Sequence, residues 1–127
     1  MNELTKAELQ VMQYLWELEK GFLKDVVEAF PEPRPAYTTI STVIRVLVKK
    51  GFVGFNTYGK VHEYFPEVSR KTYFRKHVKS IINKHFDGSV VRFASFFTGD
   101  DAVDLGELEE IKSLIDQKIE DLKVGKR

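Results

Sequence analysis

The chain contains no cysteine, which excludes a disulfide framework and every thiolate metal site. No apolar run approaches transmembrane length, and the opening M-N-E-L-T-K lacks the apolar stretch of a signal peptide. The expectation is a cytoplasmic protein with no membrane insertion. Proline is scarce, with four in 127 residues, and three of them crowd into Pro31, Pro33 and Pro35. The net charge is only +1, a poor advertisement for nucleic-acid binding taken as a total. Its sign, however, is unevenly spread: residues 1–65 hold 8 basic and 8 acidic residues, 66–88 hold 6 and 2, and 89–127 hold 6 and 9. A basic middle and an acidic tail suit a protein that touches phosphate with one surface and a copy of itself with another. Apolar content of 43% and charged content of 31% describe an ordinary globular chain, long enough for one compact domain or a small domain with an oligomerising tail.

What the sequence does possess is concentrated in Thr38 to Gly51, T-T-I-S-T-V-I-R-V-L-V-K-K-G. Ile40, Val43, Ile44 and Leu47 recur at the spacing that puts four apolar side chains on one stripe of a helix, so that stripe is expected to be buried. The opposite side collects Thr38, Thr42, Arg45 and Lys49. Short hydroxyls and an arginine fork suit base edges in a DNA groove, and Lys49 and Lys50 near the helix end can reach phosphates. The same face is also what a solvated helix with cations at its negative end would show.

Around this stretch the chain reads as follows. Thr5 and Glu8 form a T-x-x-E capping box that starts a first helix, with Leu4 and Leu9 as its staple. Leu9, Met12, Leu15 and Trp16 line one face, Trp16 as a core anchor, and Gly21 stops the helix. A second helix over about Leu23 to Phe30 turns Leu23, Val26, Val27 and Phe30 inward, and P-E-P-R-P then forms a stiff connector. After Gly51, in the position of a left-handed helix end, Phe52–Phe55 and Val61–Phe65 have strand composition, with turn chemistry in Asn56-Thr57-Tyr58-Gly59. Three helices and a hairpin are the plan of a winged helix-turn-helix, with Lys60 near the wing tip and Lys6 at the first helix as further phosphate candidates. The fold class expected is mainly α with a small β-hairpin: a winged helix-turn-helix DNA-binding domain over residues 1–69, plus a helical dimerisation region over 70–127.

Pro66 ends the second strand and Ser69 caps a helix over about Arg70 to Phe86, which Gly88 breaks. The apolar segment Ser89–Phe97 and the break at Gly99-Asp100-Asp101 follow, and Asp104 or a neighbour caps a last helix. Phe74, Val78, Ile81 and Ile82, then Val91, Phe93, Phe96 and Phe97, then Leu108, Ile111, Ile115, Ile119 and Leu122 expose more apolar surface than short helices can cover alone. A second copy is the expected cover, the last five forming a narrow seam.

Two chemical signals fail. Gly54 to Lys60 matches the opening of a phosphate-binding loop, G-x-x-x-x-G-K, but Val61 stands where Ser or Thr would hold magnesium. His62, His77 and His85 have no partners at metal-ligand spacing, and no serine sits in a nucleophile elbow. No enzyme, metal or cofactor is expected.

Leu4-Thr5-Lys6-Ala7-Glu8 with Val11-Met12 and Leu15-Trp16, Val26-Val27, Tyr37-Thr38-Thr39-Ile40 with Thr42, Leu47-Val48-Lys49-Lys50-Gly51, Tyr64 with Pro66, and Val68-Ser69 together resemble the BlaI/MecI-type penicillinase repressor family over about residues 3 to 122. The resemblance implies a homodimeric winged-helix repressor bound to a palindromic operator of double-stranded DNA. It implies that Thr38, Thr39, Thr42 and Arg45 face the major groove, that Lys60 belongs to the wing, and that residues 70–122 make the dimer. In the β-lactam-responsive branch a protease cuts an Asn-Phe bond in the dimerisation region, with a membrane sensor protease as the indirect partner. The aligned junction here is Phe96-Phe97, without the Asn. The copper-responsive branch carries a cysteine motif that this chain lacks. The residues alone leave open an activator, or a winged helix used as a protein adaptor.

Overall fold

A computed structural model of the chain describes residues 3–99 and 101–125. Asp100 of the Gly99-Asp100-Asp101 break and residues 1, 2, 126 and 127 lie outside the described residues. The chain divides into two compact units, residues 1–78 and 79–127.

The first unit begins with α1 (Lys6–Leu18). Its capping box forms as the sequence predicts: the Thr5 hydroxyl accepts from the Glu8 amide at 3.2 Å and the Thr5 amide donates to Glu8 Oε1 at 3.0 Å. Such a cap contributes about 1 kcal/mol. Val11, Met12 and Leu15 are buried, and the half-buried Trp16 donates its indole N–H to the Val68 carbonyl at 2.9 Å. A two-residue strand, β1 (Gly21–Phe22), precedes α2 (Leu23–Ala29), which buries Val26 and Val27. Arg34 then clasps the connector, donating to the Phe30 carbonyl at 2.9 Å and the Glu28 carbonyl at 3.1 Å while pairing with Glu32 at 2.7 Å. The stiffness expected from the prolines is thus supplemented by an arginine tie.

The recognition-type helix α3 (Tyr37–Lys50) buries Ile40, Ile44 and Leu47, with Val43 half-buried. Each such aliphatic side chain taken fully from water contributes roughly 1.5–3 kcal/mol. The helix ends as its glycine foretells. Gly51 has φ +85°, and the Phe52 amide reaches back to the Leu47 carbonyl at 2.9 Å, a Schellman closure whose apolar member, Phe52, is buried.

The wing is longer than the sequence suggests. Strands β2 (Val53–Tyr58) and β3 (Val61–Pro66) pair from Val53↔Pro66 to Tyr58↔Val61, so the turn is Gly59-Lys60 rather than Asn56 to Gly59. Asn56 and Thr57 are drawn into the ladder opposite Glu63 and His62, the Thr57 hydroxyl lying 3.0 Å from His62 Nδ1. Only Gly59, at φ +63°, takes the positive dihedral that a two-residue hairpin turn needs at its first position. The phosphate-loop look-alike is therefore extended strand and turn, followed by another strand. β1 pairs with the far side of β3 through Gly21↔Tyr64 and Phe22↔Glu63, giving the sheet order β1-β3-β2. Helices and a three-stranded antiparallel sheet in this order make the first unit a winged helix-turn-helix.

Ser69 caps α4 (Arg70–His85), its hydroxyl accepting from the Thr72 amide at 3.1 Å. The sequence-based boundary at 69/70 coincides with the start of this helix, yet its first turns belong with the first core. Tyr73 is buried and its hydroxyl accepts from the Leu4 amide at 3.0 Å, while Phe74 packs 5.9 Å from Trp16 and 5.2 Å from Tyr73, ring centre to ring centre.

In the second unit, a corner at Asp87 and Gly88, both at positive φ, leads to α5 (Val90–Phe97). Ser89 caps α5 through the Arg92 amide at 3.0 Å. Asp104 and Glu107 form a full capping box on α6 (Leu105–Lys123), at 2.8 and 3.1 Å. Phe86, Phe93, Phe96 and Phe97 build an aromatic cluster, with ring centroids 5.4 to 6.1 Å apart. Nevertheless, neither α5 nor α6 contains a buried residue.

Candidate nucleic-acid interface

The outer face of α3 follows directly from its inner one. Because Ile40, Ile44 and Leu47 hold one stripe in the core, Thr38, Thr39, Thr42, Arg45 and Lys49 are all left exposed. The Thr42 hydroxyl donates to the Thr38 carbonyl at 2.9 Å, which spends its proton but leaves its lone pairs and methyl group facing outward. No side chain caps the N-terminus of α3, where Ala36 is the cap residue, so the first amides and the positive end of the helix dipole stay open to an anion. Among the described residues no ion pair engages Arg45 or Lys49. A free guanidinium on a rigid helix is available for bidentate contact with a base edge.

Lys50 has a different environment from its neighbour. Its ammonium donates to both oxygens of Glu8, at 2.8 and 2.9 Å, and so joins the end of α3 to the first turn of α1. The sequence assigns Lys50 to phosphate; in the structure its ammonium, on a side chain 29% exposed, is paired with Glu8. Burial pushes the Glu8 carboxyl up, but the Lys50 hydrogen bonds, the Thr5 amide and the ammonium charge outweigh it, and the group sits below its ordinary value. Glu8 thus serves two groups at once, Thr5 as a capping partner and Lys50 as a counterion, and through them the packing of α1 against α3.

Lys60 occupies the second position of the wing turn, exposed and without an ion partner among the described residues. Lys6, on the first turn of α1, is also exposed. Among the described residues no group of histidines and carboxylates is placed to hold a metal ion, and no helix is long and apolar enough to cross a membrane.

A family model described as the penicillinase repressor matches residues 4–117. The chain belongs to the penicillinase repressor family. Its relatives include the methicillin resistance regulatory protein MecI of Mammaliicoccus sciuri, 26% identical over 117 residues that span 91% of this chain and 95% of that protein. MecI of Staphylococcus aureus strain N315 matches with the same identity and coverage. The penicillinase repressor of Bacillus licheniformis is 22% identical over 116 residues, 91% of each chain. The penicillinase repressor family consists of DNA-binding transcriptional repressors, not enzymes, in keeping with a winged helix that presents hydroxyls and an unpaired arginine on α3.

Within this penicillinase repressor fold, the residues expected to dimerise differ in exposure. Phe74 lies in the first unit against Trp16 and Tyr73, and Ile82 is buried at 7% exposure. Ile81, Phe93, Leu108 and Ile111 are half-buried, whereas Val78, Val91, Phe96, Phe97, Ile115, Ile119 and Leu122 are exposed, Val91 at 79% and Phe96 at 72%. The Phe96-Phe97 junction lies in the last turn of α5, inside a hydrogen-bonded helix. Sequence reasoning missed the contribution of Glu8, read only as a capping residue. Its partner is forty-two positions away, and no local spacing announces it.

Proposed function

We propose that the chain is a homodimeric, sequence-specific repressor that occludes a palindromic operator in the cytoplasm. Each protomer lays α3 in a major groove, and the two-fold axis of the dimer matches that of the site. The observation that carries this reading is the exposed Thr38, Thr39, Thr42 and Arg45 face, held rigid by the buried Ile40, Ile44 and Leu47 behind it. Arg45 reads a base, contributing about 1–3 kcal/mol of discrimination if bidentate to guanine. Lys6, Lys49 and Lys60 meet phosphate, which positions the protein without reading sequence; Lys50 supports them by locking α3 to α1. The dimer surface consists of the apolar residues of α5 and α6, whose exposure in one chain calls for cover by a second. Phe74 stays with the first core. Family membership supports repression, and the MecI and penicillinase repressor names belong to relatives.

The test is fluorescence anisotropy with a duplex from upstream of this protein's own gene and a scrambled duplex, at two salt concentrations. Tight binding to the first and weak, salt-sensitive binding to the second is the expected result. Arg45→Ala should collapse that difference, and Lys60→Ala should weaken both duplexes alike. Equal losses from the two variants on both duplexes would refute the division of labour.

A further inference from the structure

We propose that Lys24 and the groove beside β1 form a second seat for the DNA sugar–phosphate backbone, separate from α3. This rests on the DNA-binding reading above. β1 runs antiparallel to β3 with Phe22 opposite Glu63, so the chain leaving β1 heads toward the wing turn and brings Lys24 to the same end of the sheet as Lys60. Between them lies a groove of about 470 Å³. Phe22, Val61 and Tyr64 give it apolar walls, and Lys24 and Lys60 stand at its polar margin. Both lysines are exposed and neither has an ion partner among the described residues. The carboxylate that lines the groove, Asp25, accepts from the Phe22 amide at 2.9 Å, so it is held at the strand end.

Charge complementarity selects the occupant. Two unpaired ammonium groups flanking an apolar floor match a chain that alternates phosphate anions with the less polar faces of deoxyribose. Duplex DNA carries its charges along such an edge, and the wing already brings Lys60 to it. A small apolar carboxylate would offer the same anion chemistry, but it would not make binding of a long duplex depend on Lys24.

The experiment measures how log K falls with log salt for matched and scrambled duplexes. The wild-type chain is compared with Lys24→Gln, Lys24→Arg, Arg45→Ala, and Lys20→Gln as an exposed charge outside the groove. One phosphate contact per protomer accounts for roughly 0.9 of slope, so Lys24→Gln should reduce the slope of the dimer by about 1.8. Its disadvantage should shrink about tenfold between 50 and 200 mM salt, equally on both duplexes. Lys24→Arg should restore the slope, and Lys20→Gln should leave it alone. An unchanged slope in Lys24→Gln, with Arg45→Ala still abolishing discrimination, would overturn the second seat and leave the repressor reading standing. A loss confined to the matched duplex, or one reproduced by Lys20→Gln, would also overturn it. Failure of the wild-type chain to bind any duplex would overturn both.

Discussion

In the first unit Val11, Met12, Leu15, Ile44 and Leu47 are at most 1% exposed, whereas nothing in α5 or α6 is more than half-buried. The contrast is not one of composition. α5 reads V-V-R-F-A-S-F-F and is more apolar than α3, Y-T-T-I-S-T-V-I-R-V-L-V-K-K. The difference is in partners: α3 lies between α1, α2 and the sheet, while α5 has an aromatic cluster and open faces. A helix of this length has marginal stability alone in water, so its order must come from packing. The first unit closes its own core, while the second leaves the apolar faces of α5 and α6 uncovered, and we propose a second copy as their cover.

The largest effect should come from attacking the open half. Ile115→Asp combined with Ile119→Asp puts charges on the exposed seam of α6 and should convert a dimer to a monomer in sedimentation. Operator affinity should fall roughly 10²–10⁴-fold as the two half-sites become independent. Trp16 fluorescence should be unchanged, since the indole is seated against Val68, Tyr73 and Phe74 of the first unit. Retention of the dimer would show that the second unit does not need a copy of itself.

An attack on the closed half should give a smaller, purely structural loss. Leu47→Ala empties a fully buried position on α3 and should cost about 2–5 kcal/mol, read as a lower urea midpoint with little change in slope. A loss below 1 kcal/mol would mean that this core is looser than its burial suggests.

Smallest should be Glu8→Gln, which removes the charge facing Lys50 and weakens the capping box, at roughly 1–3 kcal/mol. Its pH dependence sharpens the test. The folded Glu8 carboxyl sits below its ordinary value, so its stabilisation is complete above the unfolded value of about 4.3 and disappears as pH falls through the lower folded value. The wild-type chain should therefore lose more stability on acidification than Glu8→Gln, and the two curves should converge in acid. Parallel curves would remove Glu8 as an acid-sensitive link.

Much of the fold was legible because its signals are local. The Thr5/Glu8 box, the Ser69 cap, the cap at Asp104 or a neighbour and the Gly51 stop all act within a few residues, and the period of α3 separates its buried and outward faces without reference to any other element. The extent of the wing was not legible in the same way. Asn56 and Thr57 have turn chemistry on their own, and only the ladder to Glu63 and His62 makes them strand. Of the DNA-facing candidates, exposure of Thr38, Thr42, Arg45 and Lys49 follows from helical period and Thr39 came from the family resemblance, but the different environment of Lys50 was announced by neither.

The sequence by itself therefore determined where α1 and α4 begin, where α3 ends, which face of α3 is displayed, and that the chain has no thiol chemistry, but not that α1 ends at Leu18, short of the Gly21 expected to stop it. Tertiary structure alone decided that Gly21 and Phe22 become a third strand on β3, that Lys50 closes on Glu8, and that Tyr73 and Phe74 belong to the first core. The reason is range. Hydrogen-bonded turns and helical period are set by neighbours a few positions apart, whereas these contacts join residues brought together only when burial of the common core has fixed the elements that carry them.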